Sequence, residues 1–273
     1  MKKLILTASL FVAAFANAQT HKLEKIWETD SVVAIPESVL PDFTSKTLYV
    51  SLIDGGGWDV DGKGGVGKLS FDGKTYDGNW ITGLNAPKGL GMYKDKLYAA
   101  DISEVVVIDI KKGKIEKKIA IDSANGLNDI TVDNKGVVYV SDSRRAKIWR
   151  IENDVPSLFL DNIKGANGLK ADGSELIFAE GKLLKKANAQ KQVTKIAELP
   201  NGIDGIEPVG NGDFIITAWQ GYVYYVSENG RVETLLDTHE AKKNTADIGY
   251  DPVKKNVYVP SFNGKTVAAY SLK

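Results

Sequence analysis

The stretch Ala124–Asp142, ANGLNDITVDNKGVVYVSD, decides how the rest of the chain is read. It opens with an asparagine, turns at a glycine and closes on the apolar run VYVSD, and related copies recur along the sequence. Counting back eleven residues from the centre of each closing run lands on Asn128 before Tyr139 and Asn167 before Phe178. It lands on Asp204 before Ile215 and Asp247 before Tyr258. The same count gives Pro87 in the second copy and Ser38 in the first, with Glu37 one place earlier. Successive positions are 49, 41, 39, 37 and 43 residues apart. A period near forty with glycine and aspartate at the turns belongs to a β-propeller, in which each repeat is one four-stranded blade. The six copies predict an all-β, six-bladed β-propeller.

Working outward, blade one takes TLYVSLI as its inner strand, then VGKLSF and NWITGL. VVVIDI in blade two is apolar on both faces, as a strand packed between neighbouring blades must be. Glu228-Asn229-Gly230 is a hairpin signal in blade five. HEAKKNTAD, before Ile248, is the one place where a turn or two of helix is expected. The last copy, NVYVPSF and TVAAYSL, ends one strand short of a blade, while HKLEKIWETD near the start has no sheet of its own. Docking that N-terminal strand onto the last blade closes the ring and removes the exposed edge.

The 273 residues, with repeats running throughout, form one large domain over residues 19–273. Lys plus Arg equals Asp plus Glu, so no electrostatic footprint for nucleic acid is present. The absence of cysteine excludes disulfides and thiolate chemistry. At the start, Lys2 and Lys3 precede an apolar run and then Ala16-Asn17-Ala18, the order of a secretion signal cleaved after Ala18. The run from Leu4 to Phe15 is shorter than the roughly 20 residues a membrane span needs. A periplasmic or secreted protein without a membrane span is therefore expected.

The segment Gly62–Lys68, GKGGVGK, mimics a phosphate-binding loop, but Leu69 replaces the required Ser or Thr and the next residues alternate like a strand. No nucleotide site is expected there. Asp54, Asp59 and Asp61 in the same glycine-rich stretch lack the distal glutamate of a calcium loop. That stretch reads as a loop over the ring's mouth, with Trp58 placed to touch a ligand. Trp219 and Asp247 are candidate pocket-lining residues on the same face. The repeated slot matters more. A propeller brings such residues together around its axis, so two carboxylates and two amides give hard oxygen donors whose charge suits calcium or magnesium. Zinc is disfavoured, because the chain has only His21 and His239.

At these residues the chain resembles the senescence marker protein/gluconolactonase (regucalcin-like) family of six-bladed propellers. The resemblance spans about Pro36 to Lys273 and is carried by Pro36-Glu37-Ser38, Leu127-Asn128-Asp129, Asn167-Gly168-Leu169 and Asp204-Gly205. It implies a metal shell of Glu37, Asn128, Asn167 and Asp204, with Asp204 also the catalytic base or nucleophile. Family members that act on sugar lactones often carry an Arg two residues before the Asn motif, where this chain has Gly126. The resulting expectation is an exported, calcium-dependent hydrolase of small lactones or esters. The competing expectation is a non-catalytic propeller that binds a small ligand or protein partner and keeps calcium for structure.

Overall fold

The computed structural model describes residues 20–273, so the expected secretion signal lies outside the described residues. Six four-stranded antiparallel sheets are arranged as blades around a central channel. Their first strands are Pro36–Asp42, Pro87–Tyr93, Leu127–Val132, Ala166–Asp172, Ile203–Gly210 and Gly249–Asp251, and neighbouring ones pack side by side around the axis. In each blade this strand pairs with one other and so lies at the inner edge of its sheet. The innermost strand of blade one is therefore Pro36–Asp42, and Thr47–Leu52 comes second, a correction to the expected order. The inner strands escape a periodicity reading because they are rich in Gly, Pro and Asn and interrupted by bulges.

Strand composition follows radial position. Second and third strands such as Thr47–Leu52 and Glu104–Asp109 are buried along nearly their whole length, sandwiched between adjacent blades. Outer strands such as Tyr76–Leu84 and Lys114–Ala120 alternate or are exposed, since one face meets water. The core is accordingly a set of apolar clusters, several of them at blade–blade contacts; one joins Val105 and Val107 of blade two to Ile130 and Val140 of blade three.

Leu23–Glu28 pairs antiparallel with Thr266–Leu272, from Leu23 opposite Leu272 to Glu28 opposite Ala268. It is the outer strand of the last blade. Residues 239–242 form a turn rather than helix, and residues 54–63 form turns, bends and irregular backbone between two strands of blade one. The GKGGVGK segment enters the strand Gly64–Ser70, paired on both sides.

Candidate metal centre

Five of the inner strands share one irregularity. Pairing with the second strand skips two residues after the first, as between Pro36 and Val39, Leu127 and Ile130, or Ile203 and Ile206. The skipped residues are Glu37-Ser38, Lys88-Gly89, Asn128-Asp129, Asn167-Gly168 and Asp204-Gly205. A bulge of this kind frees residues from the ladder and re-aims their side chains. The first bulge residue of every copy, Glu37, Lys88, Asn128, Asn167 and Asp204, lines one cavity of about 320 Å³. Trp58, Trp219 and Phe262 form its aromatic wall. All four expected metal ligands and both expected tryptophans thus meet in one place.

The second bulge position is glycine in blades two, four and five. A Cβ at Gly89 would stand 2.6 Å from the backbone of Asp129, and one at Gly205 would stand 2.7 Å from the Ile248 nitrogen. Glycine at these places lets adjacent inner strands approach closely enough for their donors to share one cavity.

Hydrogen bonding fixes which atoms face inward. Asn128 Nδ2 donates to Ser143 Oγ at 3.0 Å, and Asn167 Nδ2 donates to Asp204 Oδ1 at 3.2 Å. These bonds leave Asn128 Oδ1 and Asn167 Oδ1 buried with no hydrogen-bond partner among the described residues, and Glu37 Oε2 is a third such atom. Three orphaned oxygen acceptors lining one cavity are an unusual concentration in a folded interior. A hard divalent cation would take such oxygens as ligands, so the residues present fit the group the resemblance implies. No three His, Cys, Asp or Glu side chains cluster as a metal site among the described residues. The fit therefore depends on the two amides as much as on the two carboxylates.

Burial pushes the Asp204 carboxyl up to about 8, helped by the charge of Asp247 and opposed by the Asn167 hydrogen bond. Glu37 is raised well above the carboxylate range, first by burial and then by Asp204, with Lys88 acting in the opposite direction. Burial also lowers Lys88 to about 8, although Glu37 and Asp101 favour its charged form. Without a cation Asp204 keeps its proton near neutral pH and Glu37 is shifted in the same direction, and a bound dication would compete for the same oxygens.

Two placements differ from a fixed eleven-residue count. Asp247 falls one position beyond the bulge slot, which in blade six is Ala246. It accepts a hydrogen bond from Ser38 Oγ at 2.5 Å. It lines a second cavity, of about 160 Å³, further along the channel with Asp129, Lys170 and Glu207. Conversely the count lands on Pro87, whereas the ladder puts Lys88 in the slot. The four-residue hairpin between Asp251 and Asn256 carries the count one place past Ala246, as the one between Asp42 and Thr47 carries it past Glu37 to Ser38. In blade two the count starts from Tyr98, the partner of Gly91, whereas in blade four, whose hairpin is equally short, it starts from Phe178, the partner of Leu169. Started from Ala99, the partner of Leu90, it lands on Lys88.

No family model matches the chain, and no curated protein sequence matches it. Solved structures do. An inactive virginiamycin B lyase from Staphylococcus aureus with quinupristin aligns with a TM-score of 0.65 at 13% identity, covering 92% of this chain and 99% of that one. A luciferin-regenerating enzyme aligns with a TM-score of 0.64 at 14% identity, covering 92% and 95%. A chain of a nidogen/laminin complex aligns with a TM-score of 0.68 at 16% identity, covering 80% and 85%. These likenesses establish the shared six-bladed propeller fold.

Proposed function

We propose that the protein is an exported hydrolase of small lactones or esters that depends on one divalent cation, calcium, held by Glu37, Asn128, Asn167 and Asp204. The observation that carries the reading is the trio of unpaired buried oxygens facing the same cavity as Asp204. A calcium ion bound there would polarise the substrate carbonyl as a Lewis acid. Asp204, its carboxylate oriented by the Asn167 amide, takes the proton of the attacking water. Trp58, Trp219 and Phe262 seat the apolar part of the substrate and keep bulk water out. Two of the similar structures are of a lyase and a regenerating enzyme, which supports chemistry on this scaffold.

Asp204→Ala and Asn167→Ala are expected to abolish turnover on a lactone and ester panel while melting curves stay cooperative. Parent-like rates in both variants would refute the mechanism. Elemental analysis of the purified protein should find one divalent ion per chain. The second reading, a binding propeller with a structural cation, draws on the nidogen/laminin likeness. Stabilisation by calcium with no turnover anywhere on the panel would favour it.

A further inference from the structure

Lys88 is 4% exposed, yet its ammonium has no carboxylate within ion-pair distance among the described residues. Its Nζ donates to the carbonyls of Gly57 at 2.5 Å and Ala86 at 3.0 Å and lies 3.8 Å from the Trp58 ring centre. Carbonyls satisfy two of its three N–H donors but leave its full charge. Other partly buried lysines here behave differently: Lys170 meets Glu207 at 2.7 Å, and Lys243 meets Glu28 at 2.7 Å. A buried charge without a counter-ion is costly, so its retention beside a cavity points to a ligand that supplies one.

Arg144 adds a second cation next to Trp58, beyond the residues that line the cavity. Its guanidinium lies 4.5 Å from the Trp58 ring centre, and it too makes no ion pair among the described residues. Its stem lies over Gly126, where an added Cβ would come within 2.7 Å of it, so the glycine lets Arg144 lie there. The charges around the cavity then follow. Among the charged residues lining the cavity, a dication would balance Glu37 and Asp204, which leaves Lys88, and Arg144 beside Trp58, without a counter-charge in the lining; Asp101 acts on Lys88 from outside it.

We infer that the substrate carries a free carboxylate that Lys88 and Arg144 hold beside Trp58, so the substrate class is a carboxylate-bearing ester or lactone with an apolar body. The inference rests on the hydrolase reading above for the reacting bond alone. The apolar body packs on Trp58, Trp219 and Phe262, and the carboxylate accepts charge-assisted hydrogen bonds from the two cations.

The test is a titration of the calcium-loaded protein with benzoate and with its near-isosteric neutral analogue benzamide, read by tryptophan fluorescence and calorimetry. Benzoate should bind at least about tenfold tighter, the size expected from one charge-assisted hydrogen bond. Arg144→Gln and Lys88→Met should each remove about tenfold of benzoate affinity and leave benzamide unchanged. Equal binding of the two probes, no saturable benzoate binding, or a preference that survives both substitutions would overturn the inference. Arg144 is exposed, so its variant decides the matter alone if Lys88→Met does not fold. Neither readout needs turnover. An inert protein that still prefers benzoate counts against the hydrolase reading and supports the charge assignment.

Discussion

Asn128 shows how function and stability pull apart at a single side chain. Its Nδ2 is bonded to Ser143, while its Oδ1 is buried and unpaired, a cost the metal-free fold carries. Asn128→Leu is expected to leave urea stability of the metal-free protein equal or higher, yet to weaken calcium binding in calorimetry by at least about tenfold. A loss of stability with calcium affinity intact would mean the oxygen is no ligand. Gly168 tests the scaffold instead. A Cβ there would run into the Asp204 carbonyl and the Ile206 side chain, pressing blades four and five apart. Gly168→Ala should cost about 1–3 kcal/mol in urea unfolding, the range for overpacking a tight contact.

The N-terminal strand is the element that joins the two ends of the chain. Trp27 donates its indole N–H to the Phe71 carbonyl at 3.1 Å, reaching from the last blade into the first. Glu28 accepts from Lys243 at 2.7 Å, Lys25 at 3.0 Å and Thr266 at 3.0 Å. Burial by itself would raise the Glu28 carboxyl, but these donors outweigh it and hold it at about 2, below the ordinary 4.5. A carboxyl lowered by folding contributes stability above its unfolded value and loses it as pH falls. The seam should therefore weaken between pH 4.5 and about 2. Glu28→Gln should cost about 1 kcal/mol at neutral pH and flatten that acid limb, measured by urea melts across the range. An unchanged limb would place acid sensitivity elsewhere.

Across the whole molecule, the channel stacks buried carboxylates below the cavity: Asp129 and Asp247, then Glu207 paired with Lys170. Burial raises Asp247 to about 7 and Asp204 to about 8. Carboxyls raised by folding stabilise fully below their unfolded value, and that contribution is lost as pH climbs through the folded values. The metal-free protein should thus lose stability towards pH 8, and calcium should restore it. The gain in Tm should be about 5 °C or more at calcium near 100 times its Kd. It should shrink at pH 5, where Asp204 holds its proton, and equal gains at pH 8 and pH 5 would contradict this. The sequence by itself determined the six repeats, their antiparallel strands and the identity of the oxygen donors. Period, turn residues and apolar runs are local properties, and Asn128, Asn167 and Asp204 stand a constant eleven residues before the centres of those runs. It also placed Trp58 on a loop at the mouth. The tertiary structure decided which residues share a row. Strand pairings, not a fixed count, set which residue of each copy stands in the slot, which puts Lys88 there and moves Asp247 down the channel. It alone set Arg144 over Gly126 and beside Trp58. Such contacts join blades far apart along the chain, where no local pattern carries them.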